Sequence, residues 1–229
     1  MRRLAVVLLV LAVVLVAGGA VADRVVHARV EEELAAQVRE RVDVEGGPDV
    51  VVDGFPFLTQ VLAGTLAEVR IAGDRVVVDG VTLDDVQVTA RDVTTAEPYA
   101  AGSVELNATL PVESLRSAVA SADPGLSLAV DDGELTLGLD VLGLDVAVGV
   151  VPVAAGTAVT LELTGVSLGG AEVSADDLPA AVTDLLGEWR LEVPGLPQGL
   201  ELTRVDVIED GLRVRAAGRD VDLAGLGAG

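Results

Sequence analysis

Cysteine is absent from the 229 residues, and so is lysine. Histidine, methionine, tryptophan and tyrosine occur once each, and phenylalanine twice. Without cysteine there is no disulfide framework, no zinc–thiolate site and no thiol nucleophile. The fifteen basic residues are all arginine and face 37 acids, for a formal net charge of −22. A phosphate backbone needs a basic face, so this balance argues against a nucleic-acid partner. With only Phe55, Phe57, Tyr99 and Trp189 as aromatics, the core must be aliphatic. Nucleotide-binding signatures are missing too: no G-x-G-x-x-G or Walker pattern occurs. What the chain does have is hydrophobicity. Hydrophobic residues make up 51% and spread along its length, which argues against disorder.

The longest apolar run lies at the N-terminus. Arg2 and Arg3 precede 19 uncharged residues from Leu4 to Ala22, close to the roughly 20 that cross a bilayer as a helix. Ala20-Val21-Ala22 followed by Asp23 fits a signal-peptidase site, whereas the length fits an uncleaved anchor. Either reading places the acidic body outside and the arginines inside. A buried core helix is the weaker alternative, because nothing amphipathic breaks the run.

From Asp23 to Val42 the period becomes helical. Val26, Val30, Leu34, Val38 and Val42 recur every four residues with charge on other faces, predicting an amphipathic helix docked on a sheet. Beyond residue 43 the period is two. Val81 and Leu83 share one parity and Val86, Val88 and Ala90 the other, which predicts a bulge near Asp84-Asp85. Leu135 to Val141, Leu144 to Val150, Val159 to Leu163 and Leu212 to Ala216 alternate cleanly. Asp132-Gly133 and Asp210-Gly211 are hairpin signals. Short helices are expected over Val112–Ala122 and from Ala175 to Leu186. Two-faced strands with few helices between them imply antiparallel sheets. Residues 80–90 and 165–175 agree at five of eleven positions, a hint of duplication.

Chemistry-bearing groups are few. His27, near the start of the predicted helix, reads as an interfacial residue, not a base. The pairs Asp84-Asp85, Asp131-Asp132 and Asp176-Asp177 read as bulge, turn and helix-start residues, since neighbours on a strand face opposite ways. The most distinctive stretch is Gly54-Phe55-Pro56-Phe57-Leu58-Thr59-Gln60-Val61-Leu62-Ala63-Gly64. Phe55 precedes proline and should be extended. Phe57, Leu58, Val61 and Leu62 then fall on one face of a short helix. The segment is either a core plug or the greasy border of a cavity, and both remain open at this level.

That stretch, with Gly64 and Val69-Arg70-Ile71, resembles the LmeA-like family of actinobacterial lipid-binding proteins. So does the order Leu196-Pro197-Gln198-Gly199-Leu200, Val205-Asp206-Val207, Asp210-Gly211-Leu212-Arg213-Val214, Gly218 and Asp220-Val221. The likeness spans nearly the whole chain. It implies an α+β, mostly antiparallel β fold of the tubular lipid-binding (TULIP) kind. In that fold a long curved sheet wraps an amphipathic helix as a half-barrel with an apolar channel. Residues 1–22 would be a signal peptide or transmembrane anchor, and residues 23–229 one lipid-binding domain. The implied function is non-catalytic binding of phospholipid, phosphatidylinositol-type lipids included, at the extracytoplasmic face of the cell membrane. The implied role is lipid transfer or lipoglycan and mannan assembly. Partners would be phospholipid, the membrane through the N-terminal segment, and envelope glycosyltransferase machinery. No cofactor, metal or catalytic residue is expected. Phe55, Phe57, Leu58, Val61 and Leu62 are the candidates for lipid contact. A net charge of −22 would repel an anionic headgroup unless arginines compensate, and Arg70, Arg75 and Arg91 are the candidates nearest in sequence. Two other functions compete: a scaffolding envelope protein without a lipid cavity, and a hydrolase built from dispersed acids.

Overall fold

The structure is a computed structural model that describes residues 23–40, 43–78, 81–122, 125–131, 133–141, 144–168, 171–174, 190–192 and 196–223. The apolar run of residues 1–22 and the helix expected from Ala175 to Leu186 lie outside them. Among the described residues no helix is long and apolar enough to cross a membrane.

In chain order the elements begin with helix α1 (residues 23–40), β1 (Asp43–Val44), β2 (Asp49–Asp53), α2 (Phe57–Ala63), β3 (Thr65–Val78), β4 (Val81–Thr94) and β5 (Ala100–Pro111). Then come α3 (Val112–Ala122), β6 (Leu126–Asp131), β7 (Glu134–Val141), β8 (Leu144–Ala155), β9 (Ala158–Leu168) and β10 (Ala171–Ser174). Last are β11 (Arg190–Glu192), β12 (Leu200–Ile208) and β13 (Gly211–Asp222). They form two open antiparallel sheets, as the alternation predicted. One has seven strands in the order β1-β3-β4-β5-β13-β12, with β2 also on β3. The other has six in the order β10-β9-β8-β7-β6, with β11 also on β9.

The core lies where the apolar faces of the two sheets meet. Leu128, Leu135 and Val150 of the smaller sheet pack with Val205 and Leu212 of the larger, and Leu115 and Val119 of α3 close this cluster. Next to it, Ala101, Val104, Leu200, Leu202, Ala216 and Val221 form a second cluster, with Ala154 and Val159 against it. The sheets also touch through backbone, the Leu202 N–H donating to the Gly156 carbonyl at 2.7 Å. A third cluster sits at the far end of the larger sheet. There Val30 and Leu34 of α1 pack on Val52, Phe57 and Leu66, so the middle of the valine stripe docks as expected.

The larger sheet keeps one face apolar through an unusual device. The bulge expected near Asp84-Asp85 is present: the β4–β5 register shifts between Asp84 and Gln87, and Asp85 has φ 52°. A second irregular line crosses β4, β5 and β13. Asp92 and Asp220 adopt φ of 53° and 50°, and Gly102 lies between them, where a Cβ would meet that of Asp92 at 3.1 Å. Inward residues across this line are three apart instead of two: Ala90 and Val93, Ala101 and Val104. The two intervening residues both point outward, so the apolar face resumes beyond the crease. Aspartate suits these positions because its short polar side chain tolerates left-handed backbone.

Two expectations are amended. The Asp210-Gly211 hairpin exists, but Glu209 and Asp210 form the turn and Gly211 is already paired with Ile208. Residues 80–90 and 165–175 are not equivalent structurally. Residues 81–90 run within a single strand, whereas Gly165 pairs with Ser174 across the β9–β10 hairpin. The resemblance there belongs to the valine-rich composition.

Candidate functional site

The short helix expected after Gly54 is present: α2 begins at Phe57, preceded by a bend at Phe55-Pro56. Pro56, at the N-cap, offers no side-chain acceptor. The acceptor comes instead from Asp23, 34 residues earlier. Its carboxylate takes the Phe57 N–H at 3.0 Å and the Leu58 N–H at 2.7 Å, and the residue is buried. A carboxylate at the start of a helix satisfies donors that the helix leaves open and opposes its dipole.

Two more side chains of α1 bind this corner to the sheet. The ring of His27 stacks on Phe57 with centroids 4.8 Å apart, and its Nε2–H donates to the Val52 carbonyl at 2.6 Å. Glu31 accepts the Val52 N–H at 2.9 Å. Val52 turns its other side toward β3, so the helix pairs the outer backbone groups of an edge strand. His27 is thus a structural contact between helix and sheet.

The five candidates for lipid contact separate. Phe57 is 1% exposed and central to its cluster, and Leu58 is half-buried. Phe55 is 76% exposed, Leu62 87% and Val61 41%. The helical face anticipated from spacing is therefore buried only at its first residue. Phe55 borders an open cleft of about 800 Å³ that is otherwise lined by the first three turns of α1, with Arg24, Val25, Ala28, Arg29 and Glu32. Val25 and Val26 are exposed as well.

The three headgroup candidates lie elsewhere, on the polar face of the larger sheet, and all are already matched. Arg70 reaches Asp53 at 2.7 Å and Glu68 at 3.7 Å. Arg91 bonds Glu68 at 2.8 Å and Glu105 at 3.1 Å. Arg75 bonds Glu45 at 3.0 Å and Asp84 at 3.1 Å. The resulting ladder from Asp53 through Arg70, Glu68 and Arg91 to Glu105 crosses four strands. The hydrogen bond to Glu68, then that to Glu105, raises the pKa of Arg91, and the bond to Asp84 raises that of Arg75. Arg24 and Arg29 differ: among the described residues neither has a carboxylate partner.

The apolar face of the larger sheet is covered unevenly. Around β5, β13 and β12 it is sealed by the smaller sheet, and Val104, Ala216 and Leu202 are buried. Toward β3 and β4, Ile71, Val86 and Val88 share that face by register and remain half-buried. Ile71 and Val86 belong to none of the three buried clusters.

A second cleft, of about 540 Å³, is polar. Asp84, Asp85, Glu113, Glu209 and Asp210 line it with Arg116 and Arg213. Asp84 is engaged by Arg75 and Glu113 by Arg116. Among the described residues no group of three or more acids or histidines is placed to hold a metal ion.

Residues 21–217 match the LmeA-like phospholipid-binding family, a span that contains both sheets up to the last five residues of β13, the α1–α2 corner and the half-covered apolar strip. No curated protein and no solved structure matches the chain. The match covers far more than half of the sequence, and the chain belongs to the LmeA-like phospholipid-binding family.

Proposed function

We propose that the protein is an exported, non-catalytic phospholipid carrier or holder of the cell envelope. In this reading residues 23–229 act as one TULIP-like domain, attached to the membrane or delivered past it by residues 1–22. The observation that supports it best is the uneven cover on the larger sheet. Ile71, Val86 and Val88 form an apolar strip in line with a sealed core but are themselves half-open. An acyl chain laid along such a strip removes apolar area from water at roughly 25 cal/mol per Å². The creased strands curve the sheet and suit it to enclose a chain against α1 as a channel. Phosphatidylinositol-type lipids, and a supporting role in lipoglycan and mannan assembly alongside glycosyltransferase machinery, follow from the family resemblance.

Native mass spectrometry of the gently purified full chain tests this. Phospholipid should co-purify, and headgroup preference reads directly from the masses. Ile71→Glu puts a charge on the strip at a half-exposed position, outside the buried clusters. It should strip the lipid while changing the melting temperature little. A wild-type protein that carries no phospholipid, and takes none up from vesicles, would overturn the proposal.

A further inference from the structure

Two features meet around the 800 Å³ cleft. One is exposed large apolar side chains: Phe55 and Val25 at the cleft itself, and Val61 and Leu62 on α2, which follows Phe55 directly. The other is a pair of arginines, Arg24 and Arg29, that no carboxylate neutralises among the described residues, in a chain of net charge −22. We infer that the cleft mouth, together with the exposed side of α2, is a membrane-docking surface: Phe55 and Leu62 enter the interface of a bilayer while Arg24 and Arg29 bind its anionic phospholipid headgroups.

Three observations select a bilayer over another occupant. First, the rim begins at Asp23, the residue directly after the apolar run Leu4 to Ala22. A run that enters a membrane delivers Arg24 to its surface. Second, the cleft sets Arg24 and Arg29 beside the apolar Val25, Ala28 and Phe55. Of its other members, Asp23 and His27 are engaged with α2 and β2, and Glu32 is the one acid left over, so guanidinium groups next to apolar side chains give the pattern of an interfacial site. Third, the presentation is rigid. The buried Asp23 carboxylate holds the amides of Phe57 and Leu58, and His27 stacks on Phe57. Phe55 and the start of α1 are thus held in fixed relation, which lowers the ordering cost of docking. This inference rests on the phospholipid-binding reading only for the kind of membrane involved; it concerns the outside of the molecule, not the strip inside.

The cysteine-free chain suits a site-specific test. Leu62→Cys, carrying an environment-sensitive fluorophore, is prepared in the full chain, with Glu201→Cys, an exposed position of β12, as the control. Both are placed with vesicles of phosphatidylcholine alone, or of phosphatidylcholine with phosphatidylglycerol. The label at position 62 should be shielded from an aqueous quencher in the mixed vesicles, and less so in pure phosphatidylcholine. The label at position 201 should stay accessible in both. Near an anionic surface each arginine is worth about fivefold in association, so Arg24→Gln with Arg29→Gln should lower the docked-to-undocked ratio about thirtyfold. Equal accessibility at positions 62 and 201 in both vesicles overturns the inference. So does shielding at position 62 that persists without vesicles, which points to a protein partner or a second copy. Shielding that ignores both the anionic lipid and the arginine substitutions overturns the headgroup assignment. Native mass spectrometry on the same samples separates the two proposals: bound lipid with an accessible label defeats docking alone, and a shielded label without bound lipid defeats the carrier reading alone.

Discussion

Asp23→Ala removes one carboxylate and should loosen an element 34 residues away. In the folded protein that carboxylate is buried and accepts two backbone N–H groups, from Phe57 at 3.0 Å and Leu58 at 2.7 Å. Hydrogen bonds to a charged group contribute about 1.5–3 kcal/mol each, and a buried donor left without acceptor costs about 1–3 kcal/mol. The Phe57 amide is buried and loses its bond without access to water. The Leu58 amide is partly exposed and recovers some of its loss from solvent. Together the loss should be about 2–4 kcal/mol. For a protein of this size each kcal/mol lowers the melting temperature by about 2–4 °C, so a fall of roughly 4–16 °C is expected in a circular-dichroism melt. Asp23→Asn keeps one acceptor oxygen and should fall about half as far. Hydrogen exchange gives a local readout: the amides of Phe57 and Leu58 should lose protection ahead of the central strands. If Asp23→Ala melts with the wild type and those amides stay protected, the carboxylate does not cap α2 and the reasoning fails.

Three further outcomes follow from the same geometry. Phe57→Ala should cost about 3–5 kcal/mol, as expected for a large buried side chain, whereas Leu62→Ala, at 87% exposure, should stay within about 0.5 kcal/mol; urea titration of both variants checks the contrast. Asp92→Gly should be neutral or stabilising and Asp92→Val destabilising by about 1–2 kcal/mol, because its φ of 53° disfavours a β-branched side chain, again measured by denaturant midpoint. Gly211→Ala should damage the β12–β13 hairpin beyond its backbone penalty, since the added Cβ would land on the Leu110 carbonyl oxygen; loss of exchange protection along β13 would report it.

The architecture was legible wherever a period was sustained. Alternation along β7, β8, β9 and β13 identified antiparallel strands, and the parity switch at Val86 located a bulge that the structure places at Asp85. Helix α3 occupies Val112–Ala122, the range expected from the sequence. What escaped the sequence was long-range. Nothing local marks Asp23 as the cap of α2, although a helix entered through proline with no Ser, Thr or Asp beside it does announce a need for a remote acceptor. The crease at Asp92 was equally hidden, since one aspartate between Arg91 and Val93 looks like ordinary outward polarity. Headgroup candidates were chosen by nearness to the aromatic segment in sequence. A two-faced strand sends Arg70 and Arg91 to the side opposite the apolar strip, where carboxylates of neighbouring strands already occupy them. Arg24 and Arg29, exposed and without a carboxylate partner among the described residues, sit on a helix whose sequence pattern is dominated by its valine stripe.

If residues 1–22 are removed as a leader, the position of Asp23 lets that cut act on the folded body. In an uncut chain the nitrogen of Asp23 is a neutral amide. After cleavage behind Ala22 it would become an α-ammonium with an ordinary pKa of about 7.7–8.0, on the very residue whose carboxylate holds α2. The new cation would compete with the Phe57 and Leu58 amides for that carboxylate, and would add a third positive charge beside Arg24 and Arg29. Processed and unprocessed molecules would then differ at the mouth of the cleft and not merely in length, so that proteolytic maturation itself would tune how the corner holds together and how it meets an anionic surface.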